Sequence, residues 1–201
     1  MSRTENQSWT DIESWVSENS PALHAAFLPP PSTSDVTAAE EAIGYALPAG
    51  LAAWWRRFGG IGDTGLLWGL VPGYWQPQGL RQALADRAMV MEVRNDLFSA
   101  SPEEQRDQQE AALRDPAGTP HTEQWLPAWV PVATNLGGSH LFADLRDGPR
   151  HGCVMAWDNV EGADTDPVYP DVTAMLDHAA RALHGGTDLR PVLDGGHLHW
   201  A

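Results

Sequence analysis

The spacing of apolar side chains divides this 201-residue chain into stretches of helical and strand periodicity. Over residues 8–28, Trp9, Ile12, Trp15 and Val16 recur on one helical face and predict a helix. Pro29-Pro30-Pro31 stops it and forms a stiff connector. Ser32, Thr33, Ser34 and Asp35 offer N-caps for a second helix over about 35–43, which Gly44 closes. Leu51, Trp54, Trp55 and Phe58 then stand at i, i+3, i+4 and i+7. Pro48 suits the first position of that helix, Arg56 and Arg57 its last turn, and Gly59 a left-handed cap.

Residues 65–71 are a short apolar run ended by Pro72-Gly73 and predict a buried strand. A helix over about 78–94 follows from Leu80, Ala83, Leu84, Ala88 and Met91. Residues 99–124 are polar and proline-bearing, too polar for a core of their own, and predict a surface insertion. Within it, Ser101-Pro102-Glu103-Glu104 is a capping box that starts a short helix. Three strands are predicted over 129–133, 140–145 and 152–157, with Asp147-Gly148 as a turn signal between the last two. Pro131 marks an edge position or a bulge. An acidic loop over 158–171 leads to a helix capped by Asp171, with Val172, Met175, Leu176, Ala179 and Leu183 inward and Gly185-Gly186 at its end. Helices first, then closely spaced strands, then a helix make an α+β class with a mostly antiparallel sheet. The expected organisation is one domain over 1–201, with a core of about 9–185 and a glycine-rich tail over 186–201.

Composition narrows the setting. No run approaches the length of a membrane span, and Met1 to Gln7 has no signal-peptide character. The single cysteine, Cys153, excludes an internal disulfide, and together these features predict a cytoplasmic protein. The formal net charge is −15, and every basic residue is arginine. Nucleic acid is a poor partner for such a chain, because binding it depends on neutralising phosphates. A basic protein is a better one, although acidity that only keeps the chain soluble is the simpler account of charge alone.

Catalytic patterns are weak. His197-Leu198-His199 with His184 and His178 lacks the companions of a zinc site and reads as exposed tail histidines. Cys153, in a predicted strand, reads as a small buried hydrophobe rather than a nucleophile. Gly137-Gly138-Ser139-His140 lacks a nucleophile elbow, and Gly59-Gly60-Ile61-Gly62 lacks a phosphate-loop lysine. Glu40-Glu41 and Glu103-Glu104 read as solvated helix faces. No catalytic residue, metal or cofactor is assigned.

Two stretches remain as partner-binding candidates. Asp158, Glu161, Asp164 and Asp166 place four carboxylates in one loop beside Trp157, suited to a basic protein surface; a flexible solvated loop is the competing reading. Tyr74-Trp75 follows a Pro-Gly turn, where aromatics serve either as core plugs, the simpler reading, or as interface anchors.

One ordered set of motifs spans most of the chain. Ile43-Gly44-x-x-Leu47-Pro48 precedes an aromatic helix ending in Gly59-Gly60. Far downstream come Trp129-Val130-Pro131-Val132-Ala133, Gly137-Gly138, Asp144, Gly148 and Val154 before Trp157. In this order the set resembles the SUKH superfamily, the Smi–Knr-like domains, over roughly residues 9–185. The resemblance implies an α+β fold with a curved sheet flanked by helices and no shared catalytic residues. Gly44, Leu47, Pro48, Gly59, Gly60, Trp129, Pro131, Asp144 and Gly148 would then be architectural. It further implies a protein-binding function: a bacterial immunity protein that binds a toxin domain, or alternatively a regulatory scaffold.

Overall fold

The computed structural model describes residues 3–66, 68–97, 101–121, 124–195 and 197–201. Met1 and Ser2 of the N-terminus, Leu67 of the predicted strand, residues 98–100 and 122–123 in and beside the predicted insertion, and Gly196 of the tail lie outside them. The architecture is α+β. Helices α1 (Glu5–Asn19), α2 (Pro21–Ala25), α3 (Thr33–Ile43) and α4 (Ala49–Trp55) come first. They are followed by β1 (Gln76–Pro77), α5 (Leu80–Leu97), α6 (Pro102–Arg114), β2 (Trp129–Thr134), β3 (His140–Asp144), β4 (Val154–Asp158) and β5 (Gly162–Ala163). Helix α7 (Val172–Leu183) and the strands β6 (Pro191–Asp194) and β7 (His197–Trp200) complete the chain. Strands β1 to β5 form one antiparallel sheet in sequence order.

Local chemistry accounts for many element ends. Ser32 and Asp35 cap α3 reciprocally, and Gly44 ends it at φ 79°, a conformation that disfavours a Cβ. Glu40 is not merely solvated: its Oε1 accepts from the Leu47 amide at 2.9 Å. Ser101 and Glu104 close the capping box of α6, and the Asp171 Oδ1 accepts from the Ala174 amide at 2.7 Å to start α7. Pro131 lies at a register shift in β2 between Pro131 and Ala133, the bulge that a ladder-breaking proline calls for.

Four predicted features differ. Residues 8–28 form two helices, because the chain leaves the helical region at Ser20 before Pro21. Pro48 is the N-cap of α4 rather than its first residue, and Arg56 is the C-cap. Gly59 is not a left-handed cap; Gly60, at φ 107°, carries the positive angle. What Gly59 supplies is space, since a Cβ there would stand 2.0 Å from the Pro29 carbonyl oxygen. The described part of 65–71 is not a strand. It makes isolated bridges instead, Trp68 with Leu198 of the C-terminal hairpin and Val71 with Trp75; Gly69 N donates to Leu198 O at 3.2 Å and Trp200 Nε1 donates to Gly69 O. The tail is therefore ordered, with Leu198 and Trp200 buried.

The sheet separates two apolar layers. One face packs Val130, Val132, Leu141, Ala143 and Val154 against α1, α4 and α7. Here Trp9, Trp54 and Phe58 form an aromatic nucleus with centroids 4.5–5.9 Å apart. The other face packs Trp129, Phe142, Met155 and Trp157 against Trp125, Val90 and Ala112. Because alternate residues of a strand face opposite sides, Trp129 and Val130 enter different layers. Helix α6 lends Ala112 to the second layer, and Arg146 fixes the segment behind it. The Arg146 guanidinium pairs with Asp144 at 2.7 Å and donates to Ala112 O at 2.8 Å and Thr119 O at 2.5 Å.

Candidate protein-binding surface

The antiparallel register carries the ends of β1, β2 and β4, with the turns beside them, to one end of the sheet. Gln76 pairs with Thr134, so Tyr74 and Leu136 lie two residues beyond that pair, in the turns that flank the ends of β1 and β2. His140 pairs with Thr134 on one side and Trp157 on the other, which places the β2–β3 turn beside the β4–β5 turn. Side chains brace the two turns. Asn135 Oδ1 accepts from the Gly137 amide at 2.8 Å and the Ser139 amide at 3.1 Å. Asp158 Oδ1 accepts from the Val160 amide at 2.8 Å and the Glu161 amide at 3.2 Å, while its Oδ2 accepts from Ser139 Oγ at 3.0 Å. Asn159 Nδ2 reaches the Gly137 carbonyl at 3.4 Å.

Large apolar groups stand out from this end. Tyr74 is 50 % exposed, Leu136 60 % and Val160 83 %. Tyr74 at φ 67° and Leu136 at φ 60° are the non-glycine residues with positive φ among those described. Such angles strain an L-residue and persist where surrounding bonds over-determine them.

The proposed partner-binding residues do not all converge here. Tyr74 and Glu161 are exposed at this end, and Asp158 is half-buried, committed to holding the turns. Trp75 is half-buried against the first layer. Trp157 is buried, its ring 5.6 Å from Trp125 and 5.8 Å from Trp129. Asp164 runs back along β4, its amide bonded to Ala156 O at 2.9 Å, and Asp166 lies farther on, 4.0 Å from Arg150. The motif residues Leu47, Trp129, Pro131 and Asp144 are all buried, and Gly148, at φ 125°, packs on Pro116. Sequence reasoning passed over Leu136 and Val160; the available signal was a large apolar residue inside each of the turn sequences Asn135-Leu136-Gly137-Gly138 and Asn159-Val160-Glu161-Gly162.

His140 is 2 % exposed, its ring packs on Trp125 at 5.8 Å, and Nδ1 stands 3.9 Å from Asp86 Oδ2. Burial holds its pKa below the ordinary histidine value, with Asp86 opposing. Burial and the Asp144 carboxylate push the Cys153 thiol up to about 11, which keeps it protonated at neutral pH. His178 bonds Tyr169 and His184 reaches Asp11 O, so these histidines serve separate contacts. Among the described residues no group of three potential metal ligands gathers, and no helix is long and apolar enough to cross a membrane.

A groove of about 560 Å³ lies between the Pro29–Pro31 connector, α3 and α5, lined largely by apolar groups such as Ala38, Ala42 and Leu84.

A family model described as SMI1 / KNR4 family (SUKH-1) matches residues 30–178. No curated protein matches the chain.

Proposed function

The chain belongs to the SMI1 / KNR4 family (SUKH-1), and from that premise we propose that it is a bacterial immunity protein that neutralises a cognate toxin by direct binding. The toxin domain is basic, the encounter occurs in the cytoplasm, and the chain acts as one binding domain that occludes the toxin's site. No step draws chemistry from this chain.

The observation that carries this reading is the distribution of charge. Arg3, Arg57, Arg114, Arg146, Arg150 and Arg181 each lie within ion-pair distance of the chain's own carboxylates. Half of the twelve arginines are thus answered internally, Arg146 in the core, and the net charge of −15 leaves a surplus of acidic groups. Such a field raises the encounter rate with a basic partner and repels acidic ones.

The test is recovery of the partner on the tagged chain from its native cell, followed by expression of that partner with and without the chain. The reading predicts a basic protein, released as salt is raised, that arrests growth alone and is harmless when the chain is co-expressed. A set of non-toxic envelope or regulatory proteins would contradict it and support the scaffold alternative.

A further inference from the structure

We infer that the toxin docks end-on against the braced sheet end, with Tyr74, Leu136 and Val160 as its anchors and Asp158 and Glu161 as an acidic border. This rests on the immunity reading above and assigns the surface that reading leaves open.

Three observations support it. The row runs from β1 to the turn between β4 and β5, between three and four strand spacings or about 14–19 Å, a width suited to a protein surface rather than a small ligand. Leu136 and Val160 sit on turns already fixed by side-chain hydrogen bonds, and Tyr74 on a turn closed by the paired Val71 and Trp75 backbones, so little conformational freedom is lost when a partner covers them. The local charge has one sign: residues 73–76, 134–139 and 157–162 contain Asp158 and Glu161 and no arginine. The matching partner is therefore a protein with an apolar patch bordered by arginine or lysine. Anchors of this kind carry most of the affinity, while the border sets rate and selectivity.

The experiment uses the full chain and the purified toxin domain whose toxicity it relieves. A triple variant, Tyr74→Ala with Leu136→Ser and Val160→Ser, is compared with Val168→Ser and Leu193→Ser, which alter exposed apolar residues elsewhere. Thermal unfolding confirms that each variant folds. The inference predicts a loss of affinity of roughly 100-fold or more for the triple variant and little change for the controls. Binding by the triple variant equal to that of the parent would overturn the docking surface and leave the immunity reading intact. If the unaltered chain binds no toxin domain, both fall.

Discussion

Replacing Arg146 with methionine removes a cation from a pair closed to water on both sides, Arg146 being 1 % and Asp144 0 % exposed. Methionine keeps much of the apolar stem, so the change isolates charge and hydrogen bonding. Lost are the three contacts to the Asp144 carboxylate, from Nε to Oδ1 at 3.0 Å and to Oδ2 at 3.2 Å and from Nη2 to Oδ2 at 2.7 Å. Lost too are the donors to Ala112 O and Thr119 O, and the guanidinium 5.6 Å from the Trp129 ring centroid. Asp144 keeps two backbone donors, Gly118 N at 2.9 Å and the amide of residue 146 at 3.1 Å. Breaking a buried pair from one side costs about 3–5 kcal/mol. The two remaining donors put this case at the low end, about 3 kcal/mol, or a fall in Tm of roughly 6–12 °C for a chain of this size. Urea unfolding followed by tryptophan fluorescence reads the change as a lower midpoint at unchanged slope. Limited proteolysis should cut near residues 112–119 first, because Arg146 holds that segment to β3. Adding Asp144→Asn removes the orphaned carboxylate and should recover part of the loss. A midpoint within about 0.5 kcal/mol of the parent, or a double variant no better than the single one, would refute this reasoning.

Acid should weaken the fold through His140. Its folded-state pKa lies below the ordinary 6.5, so the unfolded chain takes up the proton first as pH falls. Stability is then full above about pH 6.5 and declines below it; His178 shifts the same way. Urea midpoints at neutral and mildly acidic pH should converge when His140→Gln is combined with His178→Gln, and an undiminished pH dependence would count against the assignment. Cys153, with its thiol pushed up to about 11, should resist iodoacetamide in the native protein and react in urea; rapid native labelling would show that it is open. Gly59→Ala should cost about 2 kcal/mol or more, because the added Cβ meets carbonyl oxygens of Pro29 and Leu28 at 2.0 and 2.6 Å; an unchanged thermal midpoint would mean that the connector yields freely.

What could be read in the chain was what is decided locally. Ser32 with Asp35, Gly44, Ser101 with Glu104, and Asp171 satisfy helix ends within a few residues, so their spacing is enough. Strands β2, β3 and β4 follow one another through short connections, and their apolar runs mark them well. The 65–71 run misled because its partners come from the far end of the chain, where Leu198 and Trp200 supply an isolated bridge and two hydrogen bonds to Gly69 rather than a strand ladder. Gly59 misled for a similar reason: its constraint is the crossing Pro29 backbone, not its own φ. At the candidate surface, Asp158 and Glu161 were visible as acids, and Tyr74 as an aromatic on a turn. That Leu136 joins them, while Asp164 and Asp166 turn away, depends on strand register and not on any local pattern.

The most direct test of toxin neutralisation is calorimetric titration of the purified toxin domain with the full chain at low and high salt, with toxin activity followed in parallel. A one-to-one complex that tightens at low salt and silences the toxin in step with its formation is the predicted result. A toxin that stays active when saturated, or one that is silenced with no complex formed, would contradict neutralisation by direct binding.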